Sequence, residues 1–199
     1  MSSVVIKPIH LKQGIPLGTE LVLDAGNYGA PGMQVQEILA NQGHNMNTLE
    51  GCDLPDLNVE VKSRTKGSDS PHTIGTVSLK TIMEHEYEDT VIYEKSQHVY
   101  RVTHVPETRK ISVVQETRLY DFSIPECQDK LREAYNNIRQ KVRSGCTAGY
   151  IRGSKFGYVE KQASGSYQFR VGHRAMQTLE AISLQHKAYQ SLFTDENNG

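Results

Sequence analysis

The chain has no tryptophan, only three cysteines in 199 residues, and no apolar run near the ~18 residues needed to cross a bilayer. Cys52, Cys127 and Cys146 are an odd count without C-x-x-C spacing, which argues against a disulfide framework and a structural zinc site. The histidines lack H-x3-H and H-E-x-x-H spacings, so a zinc centre built on them is not expected either. Neither G-x-x-x-x-G-K-S/T nor G-x-G-x-x-G occurs, leaving no nucleotide-binding loop. The opening stretch MSSVVIKPIHLKQGIPLGTE lacks the basic head and uninterrupted apolar segment of a signal peptide. These absences predict a cytoplasmic, intracellular protein with no membrane partner.

What is present suits one ordinary domain spanning 1–199: 37% hydrophobic and 23% charged residues, enough for a proper core. The net charge of −1 is unevenly laid out. Residues 1–100 carry 7 Lys and Arg against 13 Asp and Glu, whereas residues 101–199 carry 15 against 10. Within 130–174, ten basic residues face only Glu133 and Glu160, a local charge of +8. Such a block is the footprint expected of a surface that meets a phosphate backbone, and equally of a solvated face of helix and loop.

Along the chain, the first 30 residues read as an extended lead-in and PGMQVQEILAN over 31–41 as a helix, with Pro at its start and Gly43 past its end. Val35, Ile38 and Leu39 form its buried stripe, and Glu37 lies roughly opposite, toward a cleft or toward water. GCDLPDLNVEVKSR reads as a tight turn feeding a strand, then a polar loop, SRTKGSDSPHTIG. Strands are expected over 73–78, 90–94, 99–104 and 110–122, the last two as a hairpin around Pro106-Glu107-Thr108. From Pro125 the period becomes helical: Leu131, Ala134, Tyr135, Ile138 and Val142 share a face, and Gly145 ends the helix. Its polar face carries Lys130, Arg132, Arg139, Lys141 and Arg143. A Gly- and Ser-rich loop with aromatics follows over 149–169, then a helix over about 173–193 and a fraying tail, TDENNG. The fold class expected is α/β (α+β), a central mixed sheet flanked by helices.

The chemistry concentrates in Asp53-Leu-Pro-Asp56-Leu-Asn-Val-Glu60-Val-Lys62. Alternate residues of a strand share a face, so Glu60 and Lys62 point one way while Val59 and Val61 point into the core. A carboxylate and a lysine fixed two residues apart on rigid sheet suit metal-assisted phosphodiester hydrolysis: hard oxygen ligands hold Mg2+, and an ammonium group steadies the attacked phosphate or the attacking water. An exposed acid–base alternation on an edge strand reads the same way in sequence. Asp53-x6-Glu60-x-Lys62 resembles the D-x(n)-E-x-K signature of the PD-(D/E)XK nucleases, in particular the MutH-type and type II restriction endonuclease branch. Asp53, Leu57, Val59, Glu60 and Lys62 match its short run, and Gly32-Met-Gln-Val-Gln-Glu37 is similar to its helix carrying an acid.

That resemblance, over about residues 29–64, implies a restriction-endonuclease-like sheet with a catalytic core at about 30–122 and a DNA-contacting region at 125–174. It implies Asp53 and Glu60 as ligands of Mg2+, with Mn2+ able to substitute, Lys62 as the group assisting water, and Glu37 as a supporting acid. Asp56, in the literal Pro-Asp pair only four residues before Glu60, is the alternative ligand to Asp53. Ser63, Arg64 and Lys66 after the strand, Arg139 and Arg143 on the basic helix, and Arg152, Ser154 and Lys155 in the following loop are the expected DNA contacts. The leading expectation is a Mg2+-dependent DNA endonuclease, restriction-like or nicking, acting as a monomer or homodimer. A structure-selective junction-resolving or repair nuclease, and a non-catalytic DNA-binding module, are the alternatives.

Overall fold

A computed structural model of the chain describes residues 11, 14–23, 30–47 and 51–194. The expected extended lead-in therefore falls within it only in part, and the tail at 195–199 lies outside the described residues. Helix α1 is Ala30–Asn41, with Pro31 in its first turn and Gly43, at φ +85°, closing it by a bond from its N–H to the Ala40 carbonyl. Val35 and Leu39 are fully buried, as the periodicity predicts.

Strands β1 (Glu20–Val22), β2 (Val59–Thr65), β4 (His98–Pro106) and β5 (Ile111–Asp121) form a mixed sheet in the order β1-β5-β4-β2, with β2 and β4 parallel. One face of this sheet buries Val59, Val61, Tyr100, Val102 and Val114 with Val35 and Leu39 of α1. Its other face gives Val99, Tyr120 and Phe122 to a second core. That core is shared with an antiparallel sheet, β3-β8-β7-β6, made of His72–Val77, Tyr167–Val171, Gly157–Lys161 and Tyr150–Ser154. The α+β class is as expected, but the strands divide between two sheets. Residues 149–169, expected as a loop, supply three of the strands, because Ile151, Val159 and Phe169 alternate with polar residues over stretches too short to outweigh the Gly and Ser punctuation.

Three short helices connect the sheets to the acidic stretch before β4. Helix α2 is Leu79–Glu84, capped by Ser78 accepting from the Thr81 N–H at 2.9 Å. Helix α3 is Val91–Lys95, capped by Thr90, and lies where a strand over 90–94 is expected. The β-branched run Thr-Val-Ile-Tyr favours a strand locally, but Thr90 turns the chain as an N-cap and Ile92 is driven fully into the core. A single 3-10 turn, Tyr87–Asp89, precedes it. Helix α4, Pro125–Arg143, packs its Leu131, Ala134, Tyr135, Ile138 and Val142 stripe on the antiparallel sheet, so closely that Gly153 lies against the Ala134 carbonyl. Helix α5 is His173–Thr194. Among the described residues no helix is long and apolar enough to cross a membrane.

Candidate active site

A short hairpin assembles the site. Leu54 bridges Val59 antiparallel, each N–H bonded to the other's carbonyl at 2.9 and 3.2 Å, and Pro55–Leu57 makes a 3-10 turn between them. Asn58 ends that turn with φ 53°, a left-handed conformation that Asn tolerates better than most side chains. Leu54 and Val59 face the α1 core, and Glu60, the next residue of β2, points to the opposite face. Asp53 Oδ2 accepts from the Val61 N–H at 2.8 Å, which fixes its carboxylate against β2. Asp56 is exposed on the turn, where it accepts from Asn45 Nδ2 at 3.3 Å. Of the two candidate aspartates, Asp53 is the one bonded to the strand that carries Glu60.

Glu60 is 2% exposed, which is unusual for a carboxylate and demands cations. Lys62 Nζ donates to its Oε1 at 2.6 Å. A second lysine, Lys95 at the end of α3, lies 3.2 Å from both carboxylate oxygens but is aligned for a hydrogen bond only with Oε1. Glu60 Oε2 is thus buried without a hydrogen-bond partner. The sequence reading missed Lys95, since it sits in a segment expected to be a strand; the N-capping Thr90 is the signal that would have found the helix. Glu94 accepts from the Cys52 N–H at 3.1 Å, so α3 is tied to the residue preceding Asp53 as well as to Glu60. Burial first, and then Glu60 and Glu94, push the Cys52 thiol up to about 12, leaving it a neutral packing group.

Glu60 Oε2 is ion-paired with Lys95 but accepts no hydrogen bond, and a divalent cation held there would share it with that ammonium group. Mg2+ uses only one or two protein carboxylates and keeps several waters, so Asp53 and Glu60 suffice for it. Among the described residues no cluster of three or more Asp, Glu, His or Cys side chains is arranged to hold a metal. Glu37 is exposed on α1, away from the Val35 and Leu39 stripe, and no hydrogen bond or ion pair joins it to the other three.

The expected DNA contacts are dispersed. Ser63 lies on the opposite face of β2, its Cβ 3.9 Å from where Gly32 would carry one, with a buried hydroxyl. Arg64 shares the Glu60 and Lys62 face but is engaged with the Ser68 and Ser70 carbonyls, His72, and His173 Nδ1 at 3.0 Å. His72 is stacked parallel to His173, and burial followed by the nearby Arg64 lowers its pKa to about 3, so it is a neutral structural group. Lys66 is exposed and donates to Gln115 at 3.2 Å. Arg139, expected on the polar face of α4, is 8% exposed and paired with Glu86, because the helix leans its side on the acidic segment before α3. Arg143 donates to the Met83 carbonyl at 3.0 Å. Ser154 accepts from the Phe156 N–H at 3.0 Å inside the β6–β7 turn.

Arg152 and Lys155 line a groove of about 640 Å³ with Phe156, His173 and Arg174. The sequence reading passed over Arg174, which opens the last helix and gave no local motif.

Fold and geometry define an α+β protein with a buried glutamate and a lysine on one strand face and an aspartate bonded to the backbone of that strand. No family model matches the chain, and no curated protein matches it.

Proposed function

We propose that this protein is a Mg2+-dependent DNA endonuclease, cytoplasmic, with Mn2+ able to replace Mg2+. The observation that supports the reading is Lys62 bonded to buried Glu60 on one face of β2, with the Asp53 carboxylate bonded to the Val61 N–H of the same strand and Glu60 Oε2 ion-paired to Lys95 but accepting no hydrogen bond. Asp53 and Glu60 are the residues that would hold the cation, which when bound supplies a Lewis acid for the phosphoryl oxygen and a more acidic water. Lys62, about a third exposed, reaches from buried Glu60 toward solvent and is placed to steady charge building on the phosphate. The Val61 N–H holds Asp53, and Lys95 holds Glu60, so the groups are oriented before substrate arrives. Hydrolysis of one P–O bond per site nicks one strand; restriction-like and structure-selective enzymes share this core.

One observation favours a second reading, a non-catalytic DNA-binding module: two lysines on one glutamate also form a purely structural buried ion cluster. Incubating supercoiled plasmid and a set of branched and single-stranded DNAs with wild-type protein, Lys62→Ala and an EDTA control separates the two. Cleavage by the wild type alone, abolished by EDTA, supports the nuclease. Equal inertness of both proteins on every substrate, with equal mobility shifts, leaves the binding module.

A further inference from the structure

The antiparallel sheet has two different faces. One is covered by α4 through Ile151, Val159 and Phe169. The other carries the alternate residues, with Arg152 opposite Tyr158 and Tyr158 opposite Arg170 in register. Tyr150 is on that face at the outer strand, 53% exposed, its ring 4.9 Å from that of Tyr158. A large aromatic this exposed on an edge strand contributes little to the core.

Cations adjoin it. Arg152 and Arg174 are exposed without an acidic partner, and exposed Lys155 lies 5.1 Å from the ring of Phe156. All three line the same groove, whose one acid, Asp69, is 93% exposed and lies 3.6 Å from His173. Arg170, by contrast, is tied to Glu160 at 2.8 Å and to Gln168. The groove is also linked to the candidate active site, because Arg64, two residues past Lys62 on the same strand face, bonds His173.

We propose that this face and groove bind an unpaired strand of DNA, with a base stacked on the Tyr150–Tyr158 pair and phosphates on Arg152, Lys155 and Arg174. Charge complementarity selects a polyanion. Exposed Tyr150, beside half-buried Tyr158, selects one whose bases are out of the helical stack, since in a duplex the π-faces are already covered. The proposal rests on DNA being the substrate and narrows the substrate class to DNA carrying a single-stranded tract.

The test is fluorescence anisotropy without divalent metal, on the full chain, with labelled oligothymidine of about twenty nucleotides, a blunt duplex of equal length, and oligouridine. Wild type binds oligothymidine more tightly than the duplex. Tyr150→Ala weakens that binding by about 10- to 100-fold with little change in salt dependence. Arg152→Ala with Arg174→Ala instead lowers the salt slope by about 1.4. Tyr150, Arg152 and Arg174 are surface side chains, so these variants remain folded, and circular dichroism checks it. Unchanged affinity in Tyr150→Ala, a preference for duplex, or tighter binding of oligouridine each overturns the proposal. A protein that nicks plasmid but binds no single strand loses this surface and keeps the nuclease reading; one that binds the strand but never cleaves does the reverse.

Discussion

Replacing Lys95 by methionine tests the electrostatics of the site directly. The substitution keeps the length of the side chain and removes one of two ammonium groups from a carboxylate that is almost wholly buried. At 3.2 Å and an effective dielectric near 20, the gross attraction is about 5 kcal/mol. Removing one partner of a buried pair typically costs about 3–5 kcal/mol, because the remaining charge is left uncompensated. Here Lys62 stays in place at 2.6 Å, so the expected loss is about 2–3 kcal/mol. For a chain of this size that lowers Tm by about 5–10 °C. Calorimetry and urea unfolding of Lys95→Met, Glu60→Gln and the double variant measure it. Glu60→Gln leaves both lysines facing a neutral amide, so the double variant is expected to recover part of the loss, with a coupling of about 1–3 kcal/mol. A Lys95→Met protein within about 0.5 kcal/mol of wild type, or additive singles, would refute the view that Glu60 depends on α3.

Four further outcomes are expected. Lys62→Ala costs about 1–3 kcal/mol of stability in urea unfolding, since Lys95 alone is left on buried Glu60, while abolishing plasmid nicking. His72 remains neutral in the fold with a pKa of about 3, whereas the unfolded chain protonates it near 6.5, so the unfolded state binds the extra proton between those values. Its contribution is complete above about pH 6.5 and falls with acidification toward 3, by up to about 1.4 kcal/mol per pH unit; urea unfolding from pH 7 to 4 should therefore flatten in His72→Asn. Asn58→Ala loses about 1 kcal/mol in equilibrium unfolding and Asn58→Gly less, since φ is 53° there. Gly153→Ala forces a methyl group onto the Ala134 carbonyl of α4 and should lower Tm more than any surface variant, read by thermal melts.

Much of the site could be read in the sequence because it is local. Asp53, Glu60 and Lys62 lie within ten residues: the two-residue period of a strand puts Glu60 and Lys62 on one face, and one turn returns Asp53 to the Val61 N–H of the same strand. The expectation of Asp53 rather than Asp56 is in keeping with the same hairpin, in which Asp53 is bonded to β2 and Asp56 lies exposed on the Pro55–Leu57 turn. Lys95 was not legible, as it reaches Glu60 from 35 residues away on a helix of five residues whose composition favours a strand. Strands β6, β7 and β8 were hidden for a related reason. Each is five residues long with glycines or serines around it, and only packing against α4 makes the alternation decisive. The long helices, with nineteen residues in α4 and twenty-two in α5, were legible because their period repeats several times.

Charge is where reading along the chain and arrangement in space diverge most, and it yields a measurable consequence. The segment 130–174 counts ten cations, but Glu86 and Glu88 fold onto Arg139 and Arg132, Glu126 onto Lys130, Asp129 onto Arg132, and Glu160 onto Arg170. Four of the ten are therefore neutralised at contact distance. Of the six that keep their charge, Arg152, Lys155 and Arg174 converge on one groove. A single strand seated there displaces counterions from about three phosphates, giving a slope of log K against log salt near −2, whereas engagement of all ten would give about −7. Anisotropy titrations of oligothymidine between about 50 and 200 mM salt span enough range to separate these values. A slope steeper than about −5 would mean that the paired arginines release their acids on binding, and would return the polar side of α4 to the DNA surface.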